Sequence, residues 1–115
     1  MLSLGSARRY HLYRGVADMR KSFNGLSGIV LGQMKGALLS GDVFIFLNRR
    51  RNSMKLLVWE RSGFVIWYKR LEQGTFELPA GEGQSCELTW DKLILILEGV
   101  QLGSVRRRKR YNRPD

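Results

Sequence analysis

A chain of 115 residues that is 43% apolar and 10% aromatic is long enough for one modest hydrophobic core and too apolar for a disordered polypeptide. Its 20 basic and 10 acidic residues leave a net charge of +10, an excess that points to a polyanionic partner, nucleic acid ahead of an anionic membrane surface. One cysteine excludes an internal disulfide, one histidine beside it excludes the usual zinc ligand sets, and no run nears the roughly 18 apolar residues that span a bilayer.

Taken in chain order, the opening MLSLGSARRYHLY lacks the basic-then-apolar order of a signal peptide, which predicts a soluble, cytoplasmic protein. Tyr10–Tyr13 is a short strand closed by Arg14 and Gly15, with His11 in a structural role. Asp18 suits a helix N-cap, and Met19, Phe23, Leu26 and Val30 recur at the spacing of one helical face. Gly25, Gly28 and Gly32 weaken that helix by roughly 1 kcal/mol each and form a row of small residues that would admit a close neighbour, with Gly36 as the stop.

Three strand-like runs follow, GDVFIFLN (41–48), SMKLLVWE (53–60) and GFVIWYKRL (63–71), rich in β-branched and aromatic residues and separated by intervals short enough for antiparallel hairpins. The third run is apolar on both faces and reads as the central strand. GTFEL offers a further strand over 75–78, and PAGEGQS (79–85) is a loop. Cys86–Leu88 pairs briefly before Thr89 caps a second, largely buried helix, WDKLILILEG. The predicted architecture is α+β, an antiparallel β-meander of three to five strands packed with two helices. Residues 1–103 form one domain, and 104–115 a basic tail.

The acids do not select themselves as metal partners: Asp18 and Asp91 suit helix starts, Asp42 a turn, Glu82 a loop, and the rest border their elements. A Ser-His or Cys-His mechanism would have to recruit His11, which has no local signature. Tyrosine chemistry would need a general acid that nothing positions, and neither GLSG nor PAGEG has the context of a nucleotide-binding loop. The expectation is a non-enzyme without metal or cofactor.

The basic residues are more informative. The last ten residues hold six of the twenty basic groups and one of the ten acids, so the rest keeps fourteen against nine, a net +5. Arg49, Arg50, Arg51 and Lys55 surround the first hairpin turn, and Lys69 and Arg70 end the third strand-like run. Following the two hairpins back and forth brings all six to one edge of the sheet. Trp59, Trp67 and Tyr68 are interleaved with them and would stack on bases where exposed, although aromatic rings in mid-strand usually belong to the core.

The segments DMRKSFNGL, FIFLNRRRNSMKLLVW, GFVIWYKRLEQGTFELP and LILILEG resemble the small accessory proteins (TnpB) encoded by the second open reading frame of the IS-66 insertion-sequence family. The likeness runs from Tyr10 to about Gly99. It implies a bacterial mobile-element protein that assists transposition beside a separate, larger catalytic transposase. Asp18, Arg20, Lys21, Asn48, Arg49, Arg50, Lys55, Lys69 and Arg70 occupy the family's polar motif positions, with no assigned chemistry. The expected DNA contacts are therefore Arg20, Lys21, Arg49, Arg50, Arg51, Lys55, Lys69 and Arg70 on the body, with Arg106, Arg107, Arg108, Lys109 and Arg110 on the tail. The expected partners are DNA and the transposase or other proteins of the same element, with no membrane. The rival reading is a protein-interaction module that bridges transposase subunits without touching DNA.

Overall fold

The computed structural model describes residues 4–98. The predicted domain boundary at 103 and the tail cations Arg106, Arg107, Arg108, Lys109 and Arg110 lie outside the described residues. Within them the elements are β1 (Tyr10–Tyr13), α1 (Phe23–Ile29) continued by a π-helical segment (Val30–Met34), β2 (Val43–Leu47), β3 (Ser53–Glu60), β4 (Gly63–Arg70), β5 (Ser85–Leu88) and α2 (Trp90–Glu98). The fold is α+β: one five-stranded sheet in the order β4-β3-β2-β1-β5, with two helices.

β2 reads Val-Phe-Ile-Phe-Leu, and all five residues are buried. A run of β-branched and aromatic side chains with no polar face is satisfied only in the interior of a sheet covered on both sides. One side is filled by Tyr10, Leu12, Val43, Ile45, Leu47, Met54, Leu56 and Val58, packed with Phe76 and with Leu93 and Ile96 of α2. On the other side Phe44, Phe46 and Leu57 meet Ala17, Leu26, Val30 and Met34. β2, β3 and β4 form the expected antiparallel hairpins. β1, however, runs parallel to β2, because the 14–42 connection contains a helix and can cross over the sheet.

The predicted pairing of Cys86–Leu88 is present as β5, antiparallel to β1. Thr89 caps α2 through a hydrogen bond donated by the Lys92 N–H to its Oγ1 at 3.2 Å.

Four expectations are corrected. The 63–71 run is an edge strand, not the central one: β3, β2 and β1 take the interior, and β4 is apolar on both faces because it packs at the margin of both core layers, Val65 and Trp67 on one and Phe64 and Ile66 on the other. Residues 75–78 form no strand. The Phe76 N–H instead bonds to the Arg51 carbonyl at 2.6 Å, which seats the ring in the core.

Asp18 is not an N-cap, since α1 starts after Ser22; its carboxylate instead folds the turn before the helix. The glycine row does not admit a second element: only at Gly25 would a Cβ approach anything, the side chain of Lys21 at 3.0 Å. A Cβ on Gly28 or Gly32 would meet open space, and Phe23 on the supposed buried face is 43% exposed. Gly36, by contrast, has no room for a side chain, because a Cβ there would lie 2.6 Å from Cε1 of Phe44.

Candidate nucleic-acid interface

The turn between β2 and β3 is Asn48-Arg49-Arg50-Arg51-Asn52, and its two asparagines hold it. The Asn48 Oδ1 accepts the backbone N–H groups of Asn52 and Ser53, each at 3.0 Å, while its Nδ2 donates to Oδ1 of Asn52 at 2.7 Å. The Arg51 N–H donates to the Asn48 carbonyl at 3.0 Å. Outside support comes from the Leu71 N–H on the Asn52 carbonyl at 2.7 Å and from Phe76 on Arg51. The backbone is thus bonded from within and from behind, and the three arginine side chains are left exposed. Arg51 adopts φ of 58°, a left-handed conformation that glycine occupies without cost and an arginine does not.

Strand register brings the other cations to this turn. Ser53 pairs with Arg70 and Met54 with Lys69, so the end of β4 lies beside the start of β3, with Lys69 and Arg70 on opposite faces. The 18–21 segment arrives from the α1 side, where the Lys21 carbonyl accepts a hydrogen bond from Nζ of Lys55 at 2.8 Å. The convergence expected from hairpin geometry is therefore present, and it includes Lys21.

Individual members differ in what they can offer. Lys55 is 8% exposed, with its ammonium on the Lys21 carbonyl and 5.1 Å from the centroid of the Tyr68 ring, so it faces inward and anchors the 18–21 segment. Arg20 lies against Asp18, donating from Nε to both carboxylate oxygens at 3.1 Å and from Nη2 to Oδ2 at 2.7 Å. Those charge-assisted bonds, with the Arg20 N–H on Oδ1, lower the Asp18 carboxyl from 3.8 to about 2 and raise the Arg20 guanidinium. Arg70 is 3.9 Å from Glu72. Among the described residues, Lys21, Arg49, Arg50, Arg51 and Lys69 form no ion pair.

The opposite end of the sheet is wired differently. Arg8 meets Glu60 at 2.9 Å and Arg9 meets Glu87 at 2.9 Å, an interaction that lowers the Glu87 carboxyl and raises the Arg9 guanidinium. His11 shares a 2.8 Å contact with Asp42 and stacks on Phe44. Arg8 and Arg9 there are matched by carboxylates, although Arg61, exposed in the β3–β4 turn, forms no ion pair among the described residues. At the arginine turn three adjacent arginines stand unmatched together.

Of the interleaved aromatics, Trp67 packs against the core and Trp59 is half-buried edge-on to Phe64, while Tyr68 is 52% exposed on the same face as Arg70. Among the described residues no three His, Cys, Asp or Glu side chains gather as metal ligands, and no helix is long and apolar enough to cross a membrane.

A family model described as IS66 Orf2 like protein matches residues 8–107. The chain belongs to that family. Membership of the IS66 Orf2-like family implies an accessory role in insertion-sequence transposition, alongside the other components of that process. Two proteins of Sinorhizobium fredii are similar. "Uncharacterized protein y4hO" is 30% identical over 100 residues, 87% of each chain. "Uncharacterized protein y4jC" is 26% identical over 91 residues, 79% of this chain and 78% of its own. No solved structure matches the chain.

Sequence reasoning missed the asparagine clamp and the inward turn of Lys55. The symmetric pattern N-R-R-R-N carried a signal for the first, because asparagine side chains readily bond backbone groups within tight turns. Nothing local signalled the second, since Lys55 is held by a residue 34 positions away.

Proposed function

We propose that this IS66 Orf2-like protein is a non-catalytic helper that binds DNA through the arginine turn. Arg49, Arg50 and Arg51 contact phosphates, flanked by Lys21 and Arg70 on the α1 face of the sheet and by Lys69 on the other face. Arg106, Arg107, Arg108, Lys109 and Arg110 extend the contact along the strand. The observation that carries this reading is the bonded turn that presents three unmatched arginines together, whereas at the other sheet end Arg8 and Arg9 meet carboxylates and, among the described residues, Arg61 stands without one. Tyr68, exposed beside Arg70, offers an aromatic face at the margin. Arg20 is partly satisfied by Asp18 and contributes less, and Lys55 acts through the backbone it holds.

Phosphate contacts supply affinity and register with little reading of sequence. Fluorescence anisotropy on a duplex from an element end tests this. Six to ten such contacts lower the affinity by roughly 10³–10⁵ between about 50 and about 200 mM salt. Binding that ignores salt, or that survives Arg49→Glu, Arg50→Glu and Arg51→Glu together, overturns the proposal. Capture of the transposase in the presence of nuclease, by a protein that shows no affinity for DNA, would replace it with the bridging-module reading.

A further inference from the structure

We infer that the protein pairs with a second copy of itself along the outer edge of β4, joining two five-stranded sheets into one across a two-fold axis. The β3–β4 hairpin closes with Glu60 opposite Gly63, and the Leu71 N–H bonds to the Asn52 carbonyl on the β3 side. Backbone groups alternate in direction along a strand. The odd-numbered residues of β4 therefore serve the β3 ladder, while Phe64, Ile66, Tyr68 and Arg70 turn their N–H and C=O groups outward. Among the described residues nothing bonds to that outward row.

Exposed edges in soluble proteins are usually blunted by shortness, proline, a bulge or a charge in mid-strand. β4 has none of these: it is eight residues long, pairs with β3 without interruption, and carries Phe64-Val65-Ile66-Trp67-Tyr68 through its middle, with Lys69 and Arg70 only at one end. Such an edge is suited to receive a strand.

Its own sequence fits that strand. In an antiparallel pair centred on Ile66, Ile66 lies opposite Ile66 of the partner subunit, Phe64 opposite Tyr68 of the partner subunit, and Val65 opposite Trp67 of the partner subunit. These are the aromatic and branched cross-strand combinations that favour pairing. Lys69 falls opposite Gly63 of the partner subunit and Arg70 opposite Ser62 of the partner subunit, so no like charges oppose one another along the strand. About six backbone hydrogen bonds close the ladder.

The two-fold axis stands perpendicular to the sheet, which keeps both Tyr68 faces on one side and sends the two arginine turns to opposite ends. The pairing does not depend on the DNA reading, and its test contains no nucleic acid.

Sedimentation of the full chain at about 100 µM should give twice the chain mass. Ile66→Lys places two ammonium groups face to face at the axis, and Ile66→Glu two carboxylates, so each variant alone should sediment as a monomer. An equimolar mixture of the two should restore the dimer, which a general loss of fold could not do. Leu31→Ser, at an exposed apolar position on the helical layer, should remain dimeric. If either Ile66 variant loses its far-UV spectrum, Tyr68→Pro decides instead, because it removes one outward N–H and leaves the β3 ladder intact. A monomeric wild type, a dimer indifferent to these changes, or a mixture that fails to re-associate overturns the inference.

Discussion

Lys55 and Tyr68 face each other across the β3–β4 ladder, the ammonium 5.1 Å from the ring centroid, and the same ammonium donates to the Lys21 carbonyl at 2.8 Å. One side chain thus ties an edge strand to the segment that leads into α1. A buried cation with a ring on one side and a carbonyl on another is a structural fastener, which separates it from the arginines a few residues earlier.

Replacing Lys55 with methionine keeps most of the stem's packing and removes the bond and the ring contact. The expected cost is about 1–3 kcal/mol in urea unfolding. The slope of log affinity against log salt should stay unchanged, whereas Arg50→Ala should reduce it by roughly 1 with little effect on stability. Equal loss of slope in both variants would put Lys55 among the phosphate ligands after all.

Arg51 separates stability from binding. Its positive φ of 58° is strained for any residue with a side chain, and Arg51→Gly relieves that strain while deleting a cation. The variant should unfold at a urea concentration equal to or above wild type, a gain of up to about 1 kcal/mol, and bind DNA more weakly. Weaker binding by a more stable protein would show the turn to be set by function.

The Asp18–Arg20 pair makes a pH prediction. The Asp18 carboxyl lies at about 2 in the folded protein against an ordinary 3.8. A depressed carboxyl stabilises the fold fully above its unfolded value and ceases to do so as pH falls through its folded value. Carboxyl carbon shifts should therefore titrate near pH 2 for this residue. The stability difference between wild type and Asp18→Asn should be present at about pH 5 and shrink toward pH 2. In the neutral range the same substitution frees Arg20 and should tighten DNA binding at low salt.

Two glycines should respond with opposite signs. Gly36→Ala drives a methyl group to within 2.6 Å of the Phe44 ring and should destabilise by about 1–3 kcal/mol. Gly28→Ala points into open space within α1 and should stabilise by up to about 1 kcal/mol. Thermal melts of the two variants check the pair directly.

Much of this molecule is legible in its sequence. The hairpin strands, the capped second helix, the short pairing of residues 86–88 and the family resemblance all follow from local pattern. The errors share a cause. The 63–71 run looked central because its apolar residues alternate onto both faces, yet an edge strand acquires that pattern whenever it packs at the margin of both core layers. Phe76 looked like part of a strand because a buried aromatic in an extended run is indistinguishable from one in a loop until its backbone partner, here Arg51, is known.

By itself the sequence settled the residue types: an apolar supply for one core, an excess of positive charge, and too few histidines and cysteines for the usual metal chemistry. Those are properties of composition and short-range periodicity, which the chain carries in any conformation. Only the tertiary structure decided which cations are spent. Arg8, Arg9 and Arg20 meet carboxylates and Lys55 turns inward, while Arg49, Arg50 and Arg51 stand unmatched on a bonded turn. Most of those pairings join residues 34 to 78 positions apart, and a charge's availability depends on its neighbours in space, which no window of sequence contains.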